Sequence, residues 1–302
     1  MKQHIKGIKN YIFYIMLRAV MLTINALPIK IAYLLTNLLA KLAYLIFTSD
    51  RKTAFNNLKM VFPVLSDEQI KKIYINSLKN IGYSGVDVLR FKKFGKQGIL
   101  EMVTVEGIEH FDKAYARGKG IMAITGHISN FELIAAWFGQ KGYKSSAIGR
   151  RLYDQRFNKL LIENRNAMNV RNLDSEASIR HPLKTLREGY AIGVLIDQDS
   201  RRYRGEFIDF FGKPAYTPVG PIFLSRKAQA TVSPMIIIRM APLKYKLTVF
   251  PEVKFDYKQQ VDKDIKRVLS ECTKILENTI RENPEHWVWM HKRWKTKPED
   301  IE

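Results

Sequence analysis

IMAITGHISNFELIAAWFGQ, residues 121–140, is where the fold and the chemistry of this chain are decided together. IMAIT is a short apolar run of the kind that forms a buried strand, and FELIAAWFGQ carries apolar side chains at helical spacing and stops at Gly142. Between them lies GHISNFE, Gly126 to Glu132, with a histidine and a glutamate five positions apart. Two explanations compete. Ser129-x-x-Glu132 fits a capping box, in which serine and glutamate satisfy the free N–H groups at a helix start. Alternatively His127 and Glu132 are a catalytic pair, the carboxylate orienting an imidazole that removes a proton. Five residues on a regular helix correspond to about 500° of rotation, so the two side chains meet only if His127 lies in the turn before the helix. A strand-turn-helix supplies that geometry.

The alternation extends outward from this point. SSAIG (145–149) is a strand and YDQRFNKLLIENRNAM (153–168) an amphipathic helix. SIRHPLKTLREG (178–189) is a helix closed by Gly189, and YAIGVLID (190–197) is an apolar strand ending at Asp197. Thr217-Pro218 predicts a cap followed by proline in the first helical position. VSPMIIIRM and YKLTVFPEV are two further strands, and residues 261–282 form a long helix. Upstream, residues 51–90 are helical, with Ser66-Asp67 starting a helix that has Glu68 in its first turn. Repeated βα units imply an α/β fold with a mixed, partly parallel sheet flanked by helices. Such sheets place their ligands at the carboxyl ends of the strands, where GHISNFE sits.

Composition narrows the partners. A chain of 302 residues accommodates one large α/β domain plus an extra segment. The 50 Lys+Arg against 29 Asp+Glu give a formal charge of +21, which concentrates anionic partners: nucleic acid, anionic lipid or an acidic protein. The lone cysteine, Cys272, excludes an internal disulfide and a cysteine zinc cluster. Residues 11–47 are mostly apolar and contain no acidic residue, with Arg18, Lys30 and Lys41 inside the run and Pro28 breaking it. A clean membrane span needs ~20 apolar residues. The segment is therefore either one tilted spanning helix or an interfacial helical hairpin whose lysines snorkel. No A-x-A cleavage site accompanies it, which argues against a removable signal peptide. Neither a G-x-x-x-x-G-K-[ST] loop nor a dinucleotide fingerprint occurs.

Gly126-His127-x-x-Asn130-Phe131-Glu132 resembles the G-H-x-x-N-W-E signature of the lipid A biosynthesis acyltransferases, the late lauroyl/myristoyl transferase family of Gram-negative lipopolysaccharide synthesis. The likeness recurs in order. RKTAFNNLKMVFP (51–63) resembles the family's R-x-x-x-x-N-L-x-x-x-F-P block, and DQDSRRYRGEFIDFFGKPAYTPVGP (197–221) its D-x-D-x-G…F-F-G-x-x-A-x-T block. PEHWVWMHKRWKTKPE (284–299) resembles its closing P-E-Q-Y-x-W-x-H-R-R-F-K-T-R-P-E block. One departure is that Ser200-Arg201 replaces the glycine after the D-x-D, in an unusually basic setting.

The resemblance implies a glycerolipid acyltransferase-like fold, with a membrane anchor over residues 1–48 and the acyltransferase domain over 49–302. It implies transfer of a fatty acyl chain from acyl carrier protein to a hydroxyl of an anionic lipid A precursor, on the cytoplasmic face of the inner membrane. His127 is the expected general base and Glu132 its orienting carboxylate, with no metal, cofactor or nucleic acid involved. Asn130 is expected to hold acceptor or oxyanion, or to cap the helix. Arg150 and Arg151 follow a strand and suit phosphate, and so do Arg201, Arg202 and Arg204, unless they are simply solvated. Asp197 and Asp199 line the site from a strand end. Phe210, Phe211 and Gly212 are expected along an acyl groove, with core packing the alternative for the aromatics. Trp287, Trp289 and Trp294 among Lys292, Arg293 and Lys295 suit a membrane interface. His286 and His291 repeat the five-residue spacing without a carboxylate motif and receive no catalytic role. Two rivals stand beside this reading: another acceptor, either a glycerophospholipid or a mannosylated phosphoinositide, and a basic, non-catalytic membrane-binding protein.

Overall fold

The computed structural model describes residues 2–149, 154–174, 176, 178–201 and 203–301, side chains included except at 2–9, 12 and 13. Five helices come first: α1 (Lys2–Ala26), α2 (Ile29–Ile46), α3 (Thr48–Val61), α4 (Asp67–Leu89) and α5 (Phe91–Glu101). Strands and helices then alternate through β1 (Val103–Glu106), α6 (Ile108–Ala116), β2 (Ile121–Thr125), α7 (Phe131–Lys141), β3 (Ser145–Gly149), α8 (Gln155–Ala167), β4 (Val170–Asp174), α9 (Arg180–Arg187) and β5 (Ala191–Leu195). A hairpin of β6 (Gly205–Phe210) and β7 (Lys213–Pro218) leads to α10 (Gly220–Ala228), β8 (Thr231–Ala241), β9 (Lys244–Val249) and α11 (Val261–Glu282).

Local signals account for most boundaries. Ser66 and Gln69 form a reciprocal capping box at the start of α4. Gly142 ends α7 in the left-handed conformation, φ 96°, open to glycine at little cost. The expected cap at Thr217-Pro218 is corrected: Thr217 pairs with Glu206 as the end of β7, and α10 starts at Gly220. Strand pairing across the hairpin claims those residues before a helix can.

The seven-stranded sheet runs β1-β9-β8-β2-β5-β3-β4, parallel at every pairing except β8–β9. The mixed, mostly parallel sheet flanked by helices is as the βα pattern predicts. β2 is buried along its whole length, as a central parallel strand covered on both faces must be. Its pairing with β5 sets Thr125 opposite Leu195. That register positions the site.

α2 lies antiparallel along α4. Ala32, Tyr33, Thr36 and Ala40 are its buried face. Contacts run from Tyr33 Oη, donating to Asp87 at 2.6 Å, to the Tyr44 and Tyr74 rings 6.2 Å apart. A Cβ on Gly82 would run into Thr36 Cγ2, so glycine is what permits this close approach. The opposite face exposes Leu34, Leu38, Leu42 and Leu45.

Candidate active site

His127 lies two residues beyond the end of β2, and Asp197 two residues beyond the end of β5. Because those strand ends are paired, the two side chains emerge side by side. Asp197 Oδ1 stands 2.7 Å from His127 Nδ1, and Oδ2 accepts the His127 backbone N–H at 2.8 Å and the Trp287 indole N–H at 2.8 Å. Gly126 makes room for the carboxylate, since a Cβ there would sit 3.2 Å from Asp197 Cγ. Ile128 forms an antiparallel bridge with Trp287, and Ser129 N–H donates to the His286 carbonyl at 2.8 Å. The chain's closing segment is thereby stitched across the turn.

Burial alone would pull the His127 imidazole down, but the Asp197 charge and their hydrogen bond outweigh it, raising its pKa above 6.5. Burial would likewise push the Asp197 carboxyl up, yet His127 and the Trp287 donor hold it well below the usual carboxylate range. Asp197 is thus a fixed anion that keeps the proton on Nδ1. Nε2 is left as the basic atom, on a side chain 19% exposed.

Both explanations offered for GHISNFE are corrected. Glu132 makes no hydrogen bond to His127; it forks onto Arg165, accepting from Nε at 3.1 Å and Nη2 at 2.5 Å. Its carboxylate acts on the imidazole only through space, as a lesser upward influence. The capping box is absent as well: α7 begins after Asn130 with no side-chain cap, and Ser129 Oγ accepts the Arg239 backbone N–H at 3.1 Å. Ser129 adopts φ 51°, which aims its side chain at β8 rather than along the helix.

The other candidates are dispersed. Asn130 is buried, with Nδ2 3.5 Å from the Tyr245 hydroxyl. Asp199 accepts from Thr296 N–H and Oγ at 2.7 and 2.8 Å, so it anchors the C-terminal segment. Arg201 pairs with Asp300, and Arg204 with Asp262 at 3.1 Å. Phe211 and Gly212 form the hairpin turn between β6 and β7, not a groove wall; Phe210 and Phe211 are core, against Trp287 and Trp294. Trp287 and Trp289 are fully buried, so the expected interfacial role is corrected for both. Arg150, Arg151 and Arg202 lie outside the described residues.

Two neighbours of His127 escape sequence reasoning. The His291 ring stands 5.0 Å from that of His127, nearly perpendicular to it, and Gln198 Nε2 bridges them at 3.1 Å from His127 Nε2 and 3.2 Å from His291 Nε2. Burial, reinforced by His127, pushes His291 down to about 4, so it is neutral at pH 7. Gln198 stands inside the D-x-D block and His291 at the histidine of the closing P-E-Q-Y-x-W-x-H block, which are the available signals.

A family model described as bacterial lipid A biosynthesis acyltransferase matches residues 1–296. The chain is 26% identical over 281 residues to the lipid A biosynthesis lauroyltransferase of Escherichia coli (strain K12), covering 91% of this chain and 89% of that one. It is 24% identical over 250 residues to the lipid A biosynthesis palmitoleoyltransferase of the same organism, covering 81% and 78%. With the phosphatidylinositol mannoside acyltransferase of Mycobacterium tuberculosis (strain CDC 1551 / Oshkosh) it shares 24% identity over 164 residues, 52% of each chain.

Proposed function

This chain belongs to the bacterial lipid A biosynthesis acyltransferase family, and from that premise we propose that it moves a fatty acyl chain from the thioester of acyl carrier protein to a hydroxyl of a lipid A precursor. The observation that carries the mechanism is the 2.7 Å contact between His127 Nδ1 and Asp197. With Nδ1 protonated and held, Nε2 takes the acceptor hydroxyl's proton as the oxygen attacks the thioester carbonyl. The new C–O bond gives a tetrahedral oxyanion. Its collapse breaks the C–S bond, and the imidazolium returns the proton to the departing thiolate. The acceptor hydroxyl displaces Gln198 from Nε2. α7 begins four residues past His127, so the positive end of its dipole favours the oxyanion.

Between α7 and the sheet lies a crevice lined by Ala123, Ile134, Ala147 and Gly193, with Glu132 and Arg165 also in its walls. Its walls suit a hydrocarbon chain. It encloses about 40 Å³, only roughly three water-sized spheres, so a fatty chain must push Phe131 and Ile134 aside to enter.

We place the protein at the inner membrane with its site on the cytoplasmic face, and its α1–α2 hairpin in the interface rather than across the bilayer. α2 is long and apolar enough to cross. Its inner face, however, is welded to α4 from Tyr33 to Tyr44, and the matching stretch of α4 carries Lys79, Asn80 and the ion-paired Asp87. A spanning α2 would drag those groups into hydrocarbon, at roughly 2.5–3.5 kcal/mol for each charge. An interfacial hairpin lets the exposed leucines enter lipid while α4 stays out.

The test is acyl transfer by purified protein from acyl carrier protein to a lipid A precursor, with products weighed by mass spectrometry. Wild type transfers, His127→Ala does not, and the rate falls with salt because the +21 chain steers an acidic donor. Transfer only to a glycerophospholipid or mannosylated phosphoinositide would overturn the acceptor. Equal, salt-independent rates with acyl-coenzyme A would overturn the donor.

A further inference from the structure

Most arginines near the site are already engaged. Arg201 binds Asp300 and Thr296, Arg204 binds Asp262, Arg165 binds Glu132, and Arg293 is buried on the Tyr216 carbonyl and Thr217. Lys292 and Lys295 differ: among the described residues neither meets a carboxylate, and both are exposed. They flank an open pocket of about 240 Å³ whose far wall is Thr53, Asn56 and Asn57 of α3, with Trp294 completing it.

The walls of this pocket are fixed. Asn57 Nδ2 donates to the carbonyls of Trp289 at 2.8 Å and His291 at 2.9 Å, which holds the chain just before Lys292. Trp294 stacks on Phe210, centroids 5.7 Å apart, and buried Arg293 and Thr296 pin the chain on either side of it. Lys292 directly follows His291, whose ring neighbours that of His127, so one residue of chain links the pocket's lining to the neighbour of the proposed base.

We propose that this pocket is a phosphate-binding subsite. Two ammonium groups that meet no carboxylate among the described residues, beside the Asn56 amide, suit an anion with several oxygens and more than one negative charge. Resting on the acyl-transfer reading, two sources supply one: a phosphate on the acceptor sugar, or the phosphodiester of the carrier's pantetheine arm.

The experiment compares wild type with Lys292→Gln/Lys295→Gln, whose exposed side chains leave the fold untouched. Acceptors with and without sugar phosphate are paired with donors that carry the phosphodiester or, as acyl-pantetheine, lack it. The double variant is expected to raise KM for the phosphate-bearing substrate roughly tenfold or more, the loss of at least one charge-assisted hydrogen bond, with kcat little changed. A rise confined to the acceptor assigns the sugar phosphate; one confined to the donor assigns the pantetheine arm. Unchanged KM for both overturns the subsite. Inorganic pyrophosphate gives a readout independent of turnover: it should raise the melting temperature of wild type and not of the variant. An equal rise in both also overturns the proposal, and does so whether or not acyl transfer is found.

Discussion

Gly126 is the residue on which the His127–Asp197 pair depends sterically. A Cβ 3.2 Å from both Asp197 Cγ and Oδ2 is tighter than ordinary van der Waals contact, and the carboxylate is held on three donors with nowhere to retreat. Gly126→Ala should therefore cost activity by displacing Asp197, while the melting temperature moves little. Asp197→Asn should cut kcat/KM by roughly two to four orders of magnitude, the range a general base supplies. Glu132→Gln should act differently. It leaves the buried Arg165 guanidinium facing a neutral amide, so the protein loses roughly 1–3 kcal/mol of stability. Melts and kinetics run on both variants separate the two roles; a Glu132→Gln enzyme as stable as wild type but as inactive as Asp197→Asn would restore the glutamate as His127's partner. The pH dependence has a definite sign. Nε2 must be unprotonated to act and the His127 pKa is raised, so kcat/KM should climb with pH through a midpoint above 6.5. Asp197→Asn removes the lift and moves that midpoint to lower pH. For stability, the raised imidazole contributes fully below 6.5 and its share fades as pH rises through the folded value. The lowered Asp197 contributes above its unfolded value of about 3.9 and fades as pH falls through the folded one. The pair thus matters most between about 4 and 6.5, which melts of His127→Ala against wild type across pH would reveal.

At the scale of elements, what sets the site is register. β2 and β5 are each evident as apolar runs, and Asp197 is evident as a strand end, but nothing in either run says that Thr125 faces Leu195. Both explanations of GHISNFE seek partners within seven residues, whereas the true partner of His127 is 70 residues away and that of Ser129 is on β8. The Ser66 cap, the Gly142 helix end and the apolar strands are legible because their causes are local; β4 and the β6–β7 hairpin are missed because their signals are short and polar. The tryptophans mislead for a similar reason, since an aromatic-basic segment has the same composition on a membrane as when folded under the sheet ends. Helix α2 permits a direct test of the interfacial placement. Cys272 is buried and pushed up to about 12, so it stays silent toward maleimides. Leu27→Cys, between α1 and α2, and Val64→Cys, 92% exposed between α3 and α4, then report on their own. With protein bound to the outside of preformed vesicles, an impermeant maleimide should label both. If Leu27→Cys reacts only after the vesicles are lysed, α2 spans and the interfacial hairpin is wrong.

Across the whole molecule, both end segments of the chain pack on α4, with unequal commitment. The C-terminal segment is integral: Trp287, Trp289 and Arg293 are buried, and Asn57 and Asn80 of the helical region hold its backbone. The N-terminal helices meet the rest along one stripe of α2 and also through α1, where Arg90 and Lys93 donate to the Leu27 and Asn25 carbonyls and Arg156 lies over the Tyr11 and Tyr14 rings; we propose the boundary between anchor and catalytic domain near residue 48. Removing residues 1–47 exposes the α4 face that Ala32, Tyr33 and Ala40 cover, and takes one hydrogen bond from Asp87. Asp87 keeps Arg239 at 2.6 Å and the Tyr245 hydroxyl, so its charge remains compensated. The loss is roughly 3 kcal/mol of burial, mostly Tyr33, and roughly 1–3 kcal/mol more because the buried Arg90 guanidinium loses the Leu27 carbonyl. For a domain of this size that lowers the melting temperature by roughly 8–24 °C, and the fragment should still unfold in one cooperative step. Membrane binding should change in kind. On the proposed placement the intact chain would hold lipid through apolar contact that salt does not screen, and should stay on anionic vesicles as salt rises. The fragment retains the lysine- and arginine-rich surface alone, whose attraction fades beyond ~8 Å at physiological ionic strength, so raising the salt should release it. Vesicle sedimentation of both proteins across a salt series, beside their melts, measures this directly. Intact protein left in the supernatant at low salt, or a fragment that salt cannot release, would show that the lipid contact is not where α1 and α2 place it.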